Sequence, residues 1–243
     1  MDIYRIHHES IDSTNSWAKR QAATFDPEQI TLVTATTQTA GRGRFQNKWE
    51  SPACENLYAS FCFCVGNDWA HRGNIPQVMA ISTALILKDL GLSPKLKWPN
   101  DVLVSKKKIA GILCETMSLP TCTCVILGIG LNANMPQNLL QKLDNPATSL
   151  FVETGRKQDV NALLVNLQRS FVGKLDTLLK EGFASFHPLY HQYLVHAVGD
   201  PIRFQDAHKE HSGTFHSINP DGSLNLRLSS GTIQNFHSGK IIT

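Results

Sequence analysis

Residues 38–49 bring together the kinds of residue that an anionic nucleotide requires. Their sequence is QTAGRGRFQNKW. Glycine lets the backbone approach a ligand closely, arginine offers a planar fork of N–H donors to phosphate or carboxylate, and an indole ring can pack against a purine. The candidate binding residues in this segment are Gln38, Gly41, Arg42, Gly43, Arg44 and Trp49. Taken alone, the segment fits an anion-binding loop and a solvated basic turn equally well, and it lacks the spacing of a phosphate-binding loop or a dinucleotide fingerprint.

Two further polar segments follow in the middle of the chain. Residues 97–101, with the sequence KWPND, combine a proline with Asn100 and Asp101, which predicts a sharp turn. Lys108 is the last of three consecutive lysines and directly precedes an apolar run that contains Gly111. Because a residue at the start of a buried strand is held by its backbone, Lys108 can point inward where the two preceding lysines cannot. Turn chemistry and solvated charge remain the alternatives for these two segments.

Polar residues also stand at two places where the chain changes direction. Ser13, Thr14 and Asn15 are helix-capping residues just before a stretch with helical character. Gly130 and Asn132 end an apolar run in the sequence GIGLNAN, where glycine permits close backbone approach and asparagine offers amide hydrogen bonds. A bulge followed by a turn explains the second segment as well. Each segment is a weak signal by itself, and their occurrence together in one order is a strong one.

The hydrophobic pattern predicts the elements that position these residues. Strands are predicted at residues 3–7, 29–37, 57–65, 95–98, 102–104, 109–116 and 123–131, and helices near 17–23 and at 75–90, 160–180 and 183–194. After residue 195 the pattern changes to short strands at 201–204, 213–218, 224–228 and 232–236. This order predicts an α+β fold: a mixed or antiparallel sheet with flanking helices in residues 1–194, followed by a small β module in residues 195–243.

Composition narrows the class of protein. The 243 residues carry 23 basic and 20 acidic side chains, a net charge of +3, and 42% of them are hydrophobic. This balance predicts a folded protein and by itself points to neither nucleic acid nor an anionic membrane as a partner. No window is apolar enough for a membrane span and the N-terminus lacks a secretory pattern, so we expect a cytoplasmic protein.

The six cysteines are expected to be reduced thiols. They are Cys54, Cys62, Cys64, Cys114, Cys122 and Cys124. The pairs 62/64 and 122/124 would each share one face of a strand, so a four-thiolate zinc site is geometrically conceivable. The spacing argues against it, because structural zinc ligands usually lie on turns with two to four residues between them. We therefore expect no protein metal site.

Taken together, the motifs resemble the catalytic domain of biotin–protein ligases. The resemblance spans about residues 10–135 and is carried by Ser13-Thr14-Asn15, by Gln38 with the GRGR sequence and Trp49, and by the KWPND, KIAGIL and GIGLN sequences. It implies that family's catalytic fold and, less distinctively, an SH3-like barrel for residues 213–242. The chain departs from the commonest form of the loop at Gln46 and Asn47, where a glycine and an arginine are frequent. The family's loop flexibility and one of its phosphate contacts are therefore not carried over to this chain, and the expected reaction is unchanged.

The resemblance implies a two-step reaction with ATP, Mg²⁺ and biotin. Biotin would be activated to biotinyl-5′-AMP, and the biotinyl group would then pass to a lysine of a biotin carboxyl carrier protein domain of acetyl-CoA carboxylase or a similar enzyme. The ureido head of biotin would be bound by Ser13, Thr14 and Gln38, with Asn15 in the same motif.

The nucleotide side of the site and the catalytic residues are also implied by the resemblance. Arg42, Gly43 and Arg44 would line biotin and the phosphate, Trp49 would pack near adenine, and Asn132 would help to recognise the base. Lys108 and Arg44 would neutralise two reacting anions, and Asp101 would orient and deprotonate the acceptor amine. The remaining members of the expected binding set are Asn100, Gly111 and Gly130.

Three alternatives bear on this prediction. A lipoate–protein ligase or lipoyl/octanoyl transferase would share the fold, but such enzymes typically carry a different glycine-rich stretch in place of GRGR and its tryptophan. A non-catalytic biotin sensor has little support while Lys108, Arg44 and Asp101 are all present. The catalytic motif begins by Ser13, which leaves no room for a helix-turn-helix domain, so we expect a monofunctional enzyme without sequence-specific DNA binding. Oligomeric state is left open, with a homodimer as one option.

Overall fold

The structure is a computed structural model that describes residues 2–53 and 55–242. Its strands are β1 (Ile3–Ile11), β2 (Ile30–Gln38), β3 (Leu57–Val65), β4 (Lys95–Lys97), β5 (Asp101–Val104), β6 (Lys107–Ser118), β7 (Thr123–Leu131), β8 (Pro201–Gln205), β9 (Glu210–Ile218), β10 (Leu224–Leu228), β11 (Ile233–Phe236) and β12 (Lys240–Ile242). Its helices are α1 (Thr14–Gln21), α2 (Ile75–Asp89), α3 (Gln137–Leu140), α4 (Leu150–Thr154), α5 (Val160–Glu181) and α6 (His187–Tyr193). The chain divides into two compact units: unit 1 is Met1–Trp69 with Lys106–Arg169, and unit 2 is Ala70–Ser105 with Ser170–Thr243.

Unit 1 contains a mixed sheet in which the strands follow the order β1-β2-β3-β7-β6. β1 pairs with β2 in parallel, and the other neighbours are antiparallel. β3 and β7 lie in the centre, and almost every residue of both is buried. Strands buried on both faces are continuous apolar runs, which is why the sequence predicted these two without an alternating pattern. The predicted α+β class with a mixed sheet is confirmed.

Helix α1 covers one face of this sheet. Ala18 and Ala22, the residue that directly follows the helix, are almost completely buried and pack in one cluster with Val33 of β2, Cys62 of β3 and Ile126 of β7. Small side chains on the helix allow it to approach the strands closely. The N-terminus of α1 is therefore held beside the sheet, and the capping residues at 13–15 are held with it.

Apart from shifts of a few residues at other ends, the sequence-based elements were wrong at three places. β1 runs to Ile11 instead of ending at residue 7, because parallel pairing with β2 extends it through a polar, largely exposed stretch. The short helices α3 and α4 were missed, since four or five residues are too few to show a helical period. β12 was missed because its three residues gain strand structure only by pairing with β8.

Unit 2 contains a second sheet, which is antiparallel and has the strand order β11-β10-β9-β8-β12. The turn before β10 is tied to α2, because the Gln77 amide nitrogen donates to the carbonyl oxygen of Gly222 at 2.8 Å. Trp98 Nε1 donates to the same carbonyl oxygen at 2.9 Å, and the Trp98 ring packs against Phe204 of β8 with ring centroids 5.9 Å apart. The predicted C-terminal β module is confirmed, and the domain division at residues 194 and 195 stays a prediction.

The sequence predicted neither a membrane-spanning segment nor a protein metal site, and the described residues bear on both predictions. Within residues 2–53 and 55–242, no helix is both long and apolar enough to cross a membrane. In the same part of the chain, no cluster of three or more histidine, cysteine or acidic side chains has an arrangement that could hold a metal ion. The described cysteines, Cys62, Cys64, Cys114, Cys122 and Cys124, are free thiols, and Cys54 lies outside the described residues.

Candidate active site

The N-terminus of α1 places three polar side chains inside unit 1. Ser13 is the N-cap in an extended conformation, and its hydroxyl oxygen accepts a hydrogen bond from the Ser16 backbone nitrogen at 3.4 Å. Thr14 and Asn15 follow in the first turn, and all three capping residues are buried. Buried polar groups require hydrogen-bond partners, so these side chains must belong to a polar network or face a ligand.

Gln38, at the end of β2, is part of that network. Its side-chain oxygen accepts from the Thr14 backbone nitrogen at 2.9 Å, and its side-chain nitrogen donates to the Ser51 hydroxyl at 2.8 Å. The Ser60 hydroxyl lies 2.8 Å from Thr14 Oγ1 and 2.6 Å from Asn15 Oδ1. Ser60 was missed in the sequence, although a single serine inside the otherwise apolar strand β3 is a signal that could have found it.

The GRGR segment forms a closed turn. The Trp49 backbone nitrogen donates to the carbonyl oxygen of Gly41 at 2.9 Å, and that of Gly43 donates to Asn47 at 2.7 Å. A Cβ on Gly41 would lie 2.3 Å from the Trp49 carbonyl oxygen, so only glycine fits there. The Arg44 guanidinium lies over the Phe45 ring, 4.9 Å from its centroid. The side chain of Gln46, one of the two departures from the family loop, lies outside the described part of the structure.

Two glycines form a surface on which Trp49 and Lys108 lie. A Cβ on Gly130 would be 2.3 Å from indole atoms Cε2 and Nε1 of Trp49, and a Cβ on Gly111 would be 2.9 Å from Lys108 Cε and from Trp49 Cζ3. Gly111 and Gly130 are directly paired between β6 and β7. Lys108 Nζ lies 5.3 Å from the centroid of the Trp49 ring, within the range of a cation–π contact. The loop, the lysine and the glycine-rich strands therefore meet at one place.

The backbone of Lys108 is fixed from both sides. Its nitrogen donates to the carbonyl oxygen of Pro146 at 3.0 Å, and its carbonyl oxygen accepts from the Thr148 nitrogen at 2.9 Å. Its side chain is partly buried, whereas those of Lys106 and Lys107 are exposed. This is the geometry expected for a lysine that directs its ammonium group into a site.

The Trp49 indole nitrogen is a buried donor. It makes no hydrogen bond to any of residues 2–53 and 55–242. A buried N–H without an acceptor costs about 1–3 kcal/mol, so a ligand oxygen or ring nitrogen at this position would be favoured. Asn132 differs, because its side-chain nitrogen donates to the Thr148 carbonyl oxygen at 3.0 Å. Its expected contact with a base stays a prediction.

Asn100 and Asp101 belong to unit 2. Asn100 lies in the turn that contains the cis Trp98–Pro99 peptide, and Asp101 begins β5 opposite Lys97. Burial raises the pKa of the Tyr190 hydroxyl well above its usual range, and the negative charge of Asp101 adds to that rise. The turn is observed, and the expected catalytic role of Asp101 stays a prediction.

Comparisons with known proteins identify the family of the chain. The model of the biotin/lipoate A/B protein ligase family matches residues 8–132. The chain belongs to this family. It is 32% identical to a biotin–[acetyl-CoA-carboxylase] ligase of Paracoccus denitrificans, over 90% of this chain and 92% of that protein. It is 29% identical to the bifunctional ligase/repressor BirA of Bacillus subtilis (strain 168), over 99% of this chain and 74% of that protein.

A solved structure extends the similarity to the whole chain. The biotin protein ligase from Aquifex aeolicus, determined in complex with biotin and ATP, matches with a TM-score of 0.81 and 25% identity. The match covers 98% of this chain and 97% of that one. The matched family segment includes every residue of the expected binding set and the expected catalytic residue Asp101.

Proposed function

We propose that this chain activates biotin with ATP to biotinyl-5′-AMP and transfers the biotinyl group to a lysine of a biotin carboxyl carrier protein domain. The observation that carries the proposal is the meeting of Lys108, Trp49, Gly111 and Gly130 beside the Thr14–Gln38 network. An uncharged bicyclic ligand needs a few placed polar groups in an otherwise apolar slot, and Thr14, Asn15 and Gln38 are such groups.

The first step joins two anions. The carboxylate of biotin attacks the α-phosphate of ATP, pyrophosphate leaves, and the approach is repulsive until cations neutralise it. We assign that work to Lys108 and Arg44, together with the magnesium ion that ATP brings with it. Mg²⁺ is commonly bound through substrate phosphates and one or two carboxylates. This fits a chain whose described residues hold no cluster of three or more metal-binding side chains.

The second step needs a neutral amine. Holding a lysine with a reference pKa of ~10.4 in the neutral form near pH 7.4 costs about 4 kcal/mol. We assign Asp101 to orient the acceptor lysine and take its proton. The amine nitrogen then attacks the acyl carbon of the adenylate, and AMP leaves.

Biotin is favoured over lipoate as the acid that is activated. The family as a whole covers both chemistries, but the Paracoccus denitrificans relative and the solved structure described above are biotin ligases. The GRGR segment and Trp49, which such lipoate enzymes typically lack, are present and form the closed turn described above. A cytoplasmic location, a homodimer and the absence of sequence-specific DNA binding stay predictions from the sequence.

The decisive experiment measures pyrophosphate release from ATP with biotin, lipoate or octanoate as the acid, followed by mass spectrometry of an added carrier domain. We expect release with biotin alone and a carrier mass increase of one biotinyl group. Release with lipoate or octanoate but not with biotin would replace the proposed function by that of a lipoate-type ligase. Binding of biotin without any pyrophosphate release would indicate a sensor.

A further inference from the structure

Glu115 of β6 lies at the centre of a charged cluster in unit 1 and was not among the residues expected to bind substrate. Its side chain is only 14% exposed. Arg42 contacts it through both terminal nitrogens, with Nη2 3.2 Å from Oε1 and Nη1 3.4 Å from Oε2. Lys19 Nζ lies 3.4 Å from Oε1, and Asn15 Nδ2 donates to Oε2 at 3.2 Å.

This cluster differs from an ordinary surface ion pair. The donors come from two separate segments, helix α1 and the GRGR loop, and they meet on a carboxylate that is largely removed from water. Ion pairs are worth little when both partners are solvated, and charge-assisted hydrogen bonds gain strength when one partner is desolvated. Glu115 also separates the charges of Arg42 and Lys19, which would repel each other without it.

The carboxylate controls two parts of the binding set at once. Asn15 Nδ2 donates to Glu115 and also to the Leu113 carbonyl oxygen at 3.2 Å, which fixes the orientation of its amide. That amide lies directly on Gly128, where a Cβ would be 2.2 Å from Asn15 Oδ1. The wall of the site at Asn15 and the loop at Arg42 are therefore held by the same side chain.

Arg42 keeps donors for a ligand while it is held. A guanidinium group has five N–H donors. Its contacts with Glu115 use two of them, and a third is directed at the Ser16 hydroxyl, 3.2 Å from Nη1. The contacts that Arg42 makes within residues 2–53 and 55–242 leave two N–H groups for a substrate oxygen. A substrate anion can therefore bind without displacing Glu115, which favours a supporting role for Glu115 over competition with substrate for Arg42.

We propose that Glu115 is a positioning residue that holds Arg42 and Asn15 in place to receive biotin, so that it sets the affinity for biotin and not the rate of the chemical steps. This inference rests on the proposed function. Glu115→Gln keeps the shape and removes the charge. We expect the KM for biotin in pyrophosphate release to rise about 10-fold or more, the scale of one charge-assisted hydrogen bond, with kcat within about 2-fold.

Three variants make the test specific. Glu115→Asp keeps the charge but shortens the side chain, so its KM should rise only about 3-fold. Combining Glu115→Gln with Arg42→Ala should raise KM little beyond Arg42→Ala alone, because residues that act together are not additive. The matched control is Glu50→Gln. The Glu50 carboxylate also pairs with a cation, Lys48, at 2.7 Å, but it is about half exposed. The KM of this variant for biotin should be unchanged.

Each outcome has a defined meaning. If wild type releases no pyrophosphate with biotin, both the proposed function and this inference fail. If wild type is active and folded Glu115→Gln has the wild-type KM or a lower one, only the inference fails, and a lower KM would show that Glu115 competes with substrate. A fall in kcat at unchanged KM would also overturn it. Should Glu115→Gln not fold, a wild-type KM in Glu115→Asp would overturn the inference.

Discussion

Replacing Gly130 by alanine would place a methyl group where the Trp49 indole now lies. The added Cβ would be 2.3 Å from two indole atoms, and ordinary van der Waals contact begins at 3.4 Å. The indole must therefore move by about 1.1 Å, or β7 must move away from it. Forcing a methyl group into a packed site costs about 1–3 kcal/mol in stability. The larger effect should be on activity, because the shift also removes the contact of the indole with Lys108.

We expect Gly130→Ala to lower kcat/KM for biotin-dependent pyrophosphate release about 100-fold, the scale of a 1 Å displacement of catalytic groups. Thermal unfolding of the same preparation measures the stability cost separately. The control is Gly173→Ala in α5, where the new Cβ would lie within 4 Å of no other described atom outside the backbone of its own helix. That variant should keep full activity and gain about 1 kcal/mol from the higher helix propensity of alanine. A folded Gly130→Ala enzyme with kcat/KM within about 2-fold of wild type would refute the reasoning.

Three further predictions follow from the site and from unit 2. Lys108→Ala should reduce adenylate formation at least ~100-fold, and near-normal pyrophosphate exchange in this variant would contradict its assignment. Asp101→Asn should slow the transfer of preformed biotinyl-adenylate to carrier protein more than it slows adenylation, and an unimpaired single-turnover chase would show that Asp101 is only a turn residue. Hydrogen bonds from the backbone nitrogen of Lys209 and the ring of His211 hold the pKa of Asp206 well below its usual range. The ionised carboxylate therefore stabilises the folded state above about pH 4, and this stabilisation is lost as the pH falls toward the lowered pKa. Asp206→Asn should therefore be less stable than wild type in urea at pH 6, with the difference shrinking at pH 3, and a difference that does not change with pH would refute it.

Much of the fold was visible in the sequence because its central elements are defined by local pattern. β3 was predicted with its observed bounds, β7 as residues 123–131, and α2 to within one residue. All three are long and strongly apolar, and the burial of their side chains is what stabilises them. β1, α3, α4 and β12 were misjudged because they depend on pairing or capping partners elsewhere in the chain.

The same distinction applies to the candidate site. The motif residues could be found by their types and spacing, because glycine, arginine and lysine are required wherever a backbone or a cation must approach an anion closely. Ser60, the single serine of the apolar strand β3, was a signal that was overlooked. Glu115 could not be found, because a glutamate in a strand is ordinary until its neighbours are known. Ser60 acquires its role only when β3 comes beside the N-terminus of α1, within 2.6 Å of the Asn15 side chain.

The sequence by itself determined the chemical inventory of this protein and its family resemblance, since both reside in local residue types and their order. Only the tertiary structure decided that Trp49 lies on Gly111 and Gly130. The sequence shows that these positions lack a side chain, and only the fold shows which atoms occupy the space that a side chain would take. It likewise decided that Glu115 contacts Arg42, which lies 73 positions earlier in the sequence. An ion pair depends on the distance between two charges in space, and the fold sets that distance.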